Sequence, residues 1–174
     1  GHACLPDIAQ LPSAPDLAVI TTPARVVPLT ISNLAKRGTK AAIIISSGFG
    51  STAGTTYKAE IQQATKPYLM RIVGPNCLGV LMPGIGLNAS FAHLTPAKGS
   101  IAFLAQSGAI LTSALDWASA HGIGFSYLVS MGEMLDVDVF KGIEDLRFAF
   151  MQRVAELEPV WNLFECRSLS AERV

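Results

Sequence analysis

The sequence predicts an α/β fold in which short parallel strands alternate with helices. Three observations carry this reading. Residues 16–20, 41–45 and 68–73 are apolar runs of strand length, each followed by small residues or proline. The segments between them repeat apolar residues at helical spacing. Half of the 174 residues are hydrophobic and 15% are charged, a composition that suits a buried core and excludes a disordered chain.

In chain order, residues 1–15 hold three prolines and read as a loop with one helical turn at 8–11. The strand at 16–20 leads into Thr21-Thr22-Pro23, where proline suits the first turn of a helix. Val26, Val27, Leu29, Ile31 and Leu34 give that helix a broad apolar surface to Arg37, and Gly38 stops it. The strand at 41–45 is almost purely aliphatic, as parallel strands covered on both faces are. A small-residue loop, Ser46-Ser47-Gly48-Phe49-Gly50, precedes a helix over 55–65. The strand at 68–73 ends at Gly74-Pro75-Asn76-Cys77. Residues 78–98 lose periodicity and gain Pro83, Gly84, Gly86 and Pro96, so they read as a crossing segment between two lobes.

The second lobe opens with a strand at 101–105, the turn Gln106-Ser107-Gly108 and a helix over 109–121. Ile110, Leu111, Ala114, Leu115, Trp117 and Ala118 carry its pattern, and Gly122 stands where a left-handed cap belongs. A strand at 125–129 follows, then Asp136 and Asp138, one of which is expected to cap a last helix over 139–158. Val139, Ile143, Leu146, Phe150, Val154 and Leu157 form the apolar face of that helix. The organisation expected is therefore 1–77, a crossing segment 78–98, and 99–174 with a divergent tail from about residue 140. Neither lobe reads as complete. The first has no opening strand with a glycine-rich turn, the second shows two strands, and residue 1 is glycine.

Several functions are excluded. The formal net charge is zero with no basic block, which gives no handle for nucleic acid or an anionic membrane surface. No apolar run approaches the roughly 20 residues of a membrane span. Cys4, Cys77 and Cys166 are widely spaced and form no metal-like pair, so a reducing, cytoplasmic setting and no metal site are expected. A dinucleotide-dependent oxidoreductase would want Gly-x-Gly-x-x-Gly after a strand, and that spacing does not occur.

Residues 99–122 are the strongest candidate for chemistry. A strand that turns through small residues into a helix aims unpaired backbone N–H groups at one spot, where the helix dipole favours an anion such as phosphate. The alternative is that Ser107 only caps its helix. Other residues have plain structural readings: Arg25 a solvated charge on a first helical turn, Cys77 a small buried hydrophobe, Asn76 the holder of a turn after Pro75, and Glu133 a solvated loop carboxylate.

Five pieces of sequence occur together, in order. They are residues 16–25 (DLAVITTPAR), 44–50 (IISSGFG), 74–79 (GPNCLG), 87–91 (LNASF) and 101–109 (IAFLAQSGA). The ordered set resembles the NDP-forming acyl-CoA synthetases, the superfamily of the succinyl-CoA synthetase α subunit. Its fused relatives include ADP-forming acetate–CoA ligases and bacterial protein lysine acetyltransferases. The resemblance covers residues 6–139 and implies a CoA-binding Rossmann-like lobe followed by a flavodoxin-like lobe, both incomplete, in a chain truncated at both ends. It also implies the chemistry: a carboxylic acid, CoA and a nucleoside triphosphate give acyl-CoA, diphosphate and phosphate through an acyl phosphate and a phosphohistidine.

Carried over by position, Thr22, Pro23, Ala24, Arg25, Ser46, Ser47 and Gly48 would line the CoA site, with Asn76 and Cys77 near its thiol end. Gln106, Ser107 and Gly108 would open the helix that holds the phosphate or phosphohistidine, and Glu133 would match the acid that orients it. The family's carrier histidine lies in Gly-His-Ala-Gly. Here Gly1-His2-Ala3 precedes the CoA-site strands, while His93 and His121 stand in the crossing segment and at a helix end. No catalytic residue is therefore expected in this chain. No ATP-grasp segment is present, so ATP or ADP and Mg would reach it only through a missing ATP-grasp domain or subunit. The expected partners are CoA, a small carboxylic acid and that ATP-grasp region, with no nucleic acid or membrane, and with self-association through unfinished sheet edges. The reading is a ligase fragment inactive alone. The alternative is a non-catalytic CoA-binding or regulatory module of a protein acetyltransferase.

Overall fold

A computed structural model describes residues 5–138. The helix expected over 139–158, with His2, Cys4 and Cys166, lies outside the described residues. The first sheet is parallel with strand order β1-β2-β3, formed by β1 (Leu17–Ile20), β2 (Ala41–Ile44) and β3 (Arg71–Val73). Between these strands run α1 (Val27–Arg37) and α2 (Thr52–Thr65). Side chains alternate across the sheet, so Ala42, Ile44 and Ile72 face Val27, Ile31, Leu34, Phe49 and Ile61 in one core. Ala41, Ile43 and Val73 face the other way, into a second core.

What covers that second face is another sheet, not helices. Its strand order is β5-β4-β7-β6, from β4 (Gly79–Met82), β5 (Leu87–Ser90), β6 (Lys98–Ala105) and β7 (Phe125–Ser130). Strands β6 and β7 are parallel, whereas β4 runs antiparallel to both β5 and β7. Val80, Met82 and Val129 pack toward the first sheet. Leu81 and Leu128 point away from it, against Leu111 and Ala118 of α3 (Gly108–Ala120). The result is four layers: α1 with α2, the parallel sheet, the mixed sheet, and α3.

Residues 78–98 are therefore more than a crossing segment. They hold the hairpin β4–β5, closed by a single turn over Pro83–Ile85 and Gly86. All four residues of β4 are buried, so the strand has no polar alternation to reveal it. This hairpin raises the second sheet from two strands to four. Tyr68 also departs from its expected strand: residues 66–68 form one helical turn, and Leu69 has a φ of 53°. The α3 terminus matches expectation. Gly122 takes a φ of 66°, and the Ile123 N–H reaches back to the Ala118 carbonyl at 2.9 Å, closing the helix end.

The segment after β7 stitches the two sheets together. Leu135 N–H donates to the Gly74 carbonyl at 2.9 Å, and Val137 N–H to that of Ile72 at 3.3 Å. One Asp136 carboxylate oxygen accepts from Arg71 Nε at 2.8 Å and from Ile72 N–H at 2.9 Å. Asp136 thus clamps the outer edge of β3; the helix that it or Asp138 is expected to cap lies outside the described residues.

A candidate ligand cleft between the two sheets

The loops that leave the carboxyl ends of β1, β2 and β3 converge on the start of α3. In an open parallel sheet these are the loops that meet ligands. Ser46 Oγ donates to the Thr22 carbonyl at 2.5 Å, which ties the first loop to the second. Asn76 N–H donates to the Ser46 carbonyl at 2.9 Å and ties the second to the third. The third loop is joined to the mixed sheet by Leu78 N–H, which donates to the buried Ser130 Oγ at 3.0 Å. Gly108 completes the joint, because a Cβ there would stand 3.2 Å from Leu78 Cβ.

A cleft of about 450 Å³ opens at this junction, lined by Ile45, Ser47, Asn76, Cys77, Leu78, Phe91, Gly108, Ala109 and Thr112. Four residues expected at the site, Ser47, Asn76, Cys77 and Gly108, thus meet around one space. Thr22, Pro23, Ala24, Arg25, Ser46 and Gly48 do not line it. Ser46 and Gly48 flank Ser47 in the second loop, and residues 22–25 form the first loop against it, where a Cβ on Gly48 would stand 3.5 Å from Ala24 Cβ. Gln106 and Ser107 also lie outside the lining. Gln106 offers its carbonyl to Gly132 N–H at 3.0 Å.

Ser107 occupies the N-cap of α3, yet its side chain bonds no N–H of the first turn. The reading in which it merely caps the helix is therefore not what the structure shows. The first N–H groups of a helix have no partner within it, and here they border the cleft through Gly108 and Ala109. Cys77 is 3% exposed and donates its S–H to the Ile44 carbonyl at 3.3 Å. Burial pushes its thiol up to about 12, with backbone contacts at Gly79 and Cys77 pulling partly the other way. Cys77 forms a buried wall of the cleft, with burial favouring its neutral thiol.

Glu133 is paired on both oxygens, with Lys58 Nζ on one and Asn76 Nδ2 at 3.4 Å on the other. His93 Nε2 lies 2.7 Å from Asp116 Oδ1, His121 stacks on Trp117, and neither borders the cleft. Among the described residues, no cluster of three or more His, Cys, Asp or Glu could hold a metal ion, and no helix is long and apolar enough to cross a membrane. Ile45, Leu78, Phe91, Ala109 and Thr112 also line the cleft without having been named as site residues, although all but Thr112 fall within the five pieces of sequence that carry the resemblance. Ala109 and Thr112 follow Gly108 on the first turns of α3, so helical spacing from the small-residue turn would have pointed to them.

Two family models match the chain. A CoA binding domain matches residues 1–83, and a succinyl-CoA ligase-like flavodoxin domain matches residues 98–147. The chain therefore carries a CoA-binding domain and a succinyl-CoA ligase-like flavodoxin domain, and its homologues include ADP-forming acetate–CoA ligases. An ADP-forming acetate–CoA ligase of Archaeoglobus fulgidus is 38% identical over 144 residues, which is 80% of this chain and 21% of the relative. The corresponding ligase of Methanocaldococcus jannaschii is 40% identical over 137 residues, 79% of this chain and 20% of the relative. Among solved structures, the dinucleotide-forming acetyl-coenzyme A synthetase 1 of Ca. Korarchaeum cryptofilum, in complex with phosphate and ADP, superimposes with a TM-score of 0.74 at 34% identity. That match covers 79% of this chain and 30% of the synthetase. The chain thus spans 20–29% of the length of the acetate–CoA ligases it matches.

Proposed function

We propose that this chain supplies the CoA-binding loops and a phosphate-binding helix N-terminus to an NDP-forming acid–CoA ligase. The observation that carries the reading is the meeting of Ser47, Asn76 and Cys77 with the start of α3 around one cleft. Its chemistry fits a pantetheine arm. Asn76 offers amide hydrogen bonds, Ser47 a hydroxyl, and Leu78 and Phe91 apolar contact. The uncapped first turn of α3 suits the phosphate that the acid–CoA reaction passes on. Thr22 to Arg25 and Ser46 to Gly48 form an outer shelf for the nucleotide end of CoA, with Arg25 exposed for its phosphates.

The division proposed is 1–77 for the CoA-binding lobe, 78–98 for the hairpin-bearing connection, and 99–174 for the flavodoxin-like lobe. ATP or ADP and Mg reach this chain only through an ATP-grasp region in the same protein or in a partner, and a small carboxylic acid is the other substrate. His93 and His121 are held outside the cleft, so the isolated chain is inactive on its own. A cytoplasmic setting accords with the free buried thiol of Cys77. Self-association through sheet edges is also part of the proposal. Strand β1 ends the first sheet and β6 the second, with Val19 and Ile101 43% and 47% exposed.

Three measurements test this. CoA should raise the melting temperature of the chain and NAD should not; a ligand at 100 times its Kd stabilises by about 2.7 kcal/mol. Stabilisation by NAD alone would overturn the reading. With acetate, CoA and γ-labelled ATP the chain should form neither acyl-CoA nor phosphohistidine, and label on any histidine would refute the inactive-fragment reading. Light scattering should show species larger than 18.4 kDa. A monodisperse monomer would remove the association.

A further inference from the structure

Lys58, Glu133 and Asn76 form a chain of polar contacts that ends in the wall of the cleft. Lys58 on α2 is ion-paired with Glu133 Oε2, and Glu133 Oε1 accepts from Asn76 Nδ2 at 3.4 Å. The two charged side chains are 29% and 24% exposed, so the pair is partly shielded from water. Glu133 is tethered as well. Its N–H donates to the Pro75 carbonyl at 2.8 Å, and Gly132 is pressed so close that a Cβ there would meet the Pro75 oxygen at 2.2 Å. Among the described residues no hydrogen bond takes Asn76 Oδ1, and Asn76 itself is exposed at the cleft.

A carboxylate only accepts hydrogen bonds, and an ammonium only donates them. Lys58 therefore fixes Glu133 as an acceptor, and Glu133 can bind Asn76 only through its NH₂ group. The amide is left with one orientation, carbonyl oxygen outward. We propose that the Lys58–Glu133 pair is a positioning device which turns Asn76 Oδ1 toward the cleft to accept an N–H from an amide-bearing ligand arm. Lys58 and Glu133 touch no ligand and act through Asn76. This rests on the CoA reading and deepens it, because the arm of CoA carries amide N–H groups and the device selects for them. Glutamine at position 133 would pair with the Asn76 amide in either orientation and lose the selection.

The test is calorimetric titration of CoA into the full chain and its variants, each checked for an unchanged fold by circular dichroism. One neutral hydrogen bond is at stake, so Glu133→Ala and Lys58→Met should each weaken CoA binding about threefold to tenfold. Lys58→Arg should restore it, and Glu133→Gln should fall between. Asn76→Ala should show the same loss, with Glu133→Ala adding nothing in that background. Wild-type affinity in Glu133→Ala, or losses that add in the double variant, would overturn the positioning role while leaving the CoA reading intact. A wild-type chain that binds no CoA would overturn both.

Discussion

Replacing Asp136 with alanine removes a single carboxylate that holds two donors of β3, Arg71 Nε at 2.8 Å and Ile72 N–H at 2.9 Å. Ile72 is 1% exposed, so its N–H finds no water when the carboxylate goes. An orphaned buried donor costs about 1–3 kcal/mol. The ion pair contributes less, because Arg71 and Asp136 are 27% and 32% exposed and solvent screens them to about 0.2–1 kcal/mol. The expected destabilisation is about 2–3 kcal/mol, a drop in Tm of roughly 4–12 °C for a chain of this size. Asp136→Asn keeps an acceptor for the Ile72 amide and gives up only the charge, so it should recover more than half of the loss. Thermal unfolding followed by circular dichroism at pH 7 measures both. An alanine variant that melts within a degree of the parent would refute the clamp. An asparagine variant as unstable as alanine would show that the charge, and not the buried amide, decides the effect.

Two further outcomes follow from the loops beside the cleft. With its thiol pushed up to about 12, Cys77 should resist alkylation by iodoacetamide at pH 8 until the chain unfolds. Rapid labelling of the folded protein would contradict its burial. The folded state holds that proton more tightly than the unfolded chain does, so the stability this contributes is present below pH 9 and lost as pH rises toward 12. The parent should therefore lose melting temperature above pH 9 relative to Cys77→Ala. Gly132 has a φ of 58° and its missing Cβ would meet the Pro75 oxygen at 2.2 Å, so Gly132→Ala should destabilise by about 2 kcal/mol or more and loosen Asn76. An unchanged melt in that variant would show that the loop has room to move.

The parallel lobe was legible because its strands obey simple rules. The aliphatic run at 41–45 can only be covered on both faces, and Gly38 and Gly122 mark helix ends in the left-handed conformation that favours glycine. The cleft was legible where small residues follow strands: Ser47, Asn76 and Gly108 all arrived there. The hairpin β4–β5 was hidden for a physical reason. Gly79–Met82 is buried on both faces, so neither alternation nor helical spacing shows, and Pro83 and Gly84 read as breakers although they form its turn. The Asp136 clamp was hidden in a different way. Its partners, Arg71 and Ile72, lie more than 60 residues back in the sequence. Contacts of that range, like the Lys58–Glu133 pair, leave no local pattern to read.

The account stands most directly on whether CoA enters the cleft between the two sheets. Amide resonances of the ¹⁵N-labelled chain, followed while CoA is titrated in, answer this residue by residue. The prediction is that Ser47, Asn76, Cys77, Gly108 and Thr112 shift together with one saturation curve. Leu29 and Gln63, in the groove between α1 and α2 on the far face of the first sheet, should stay in place. Shifts confined to that far groove, or none at the cleft at saturating CoA, would contradict the assignment of the cleft as the CoA site.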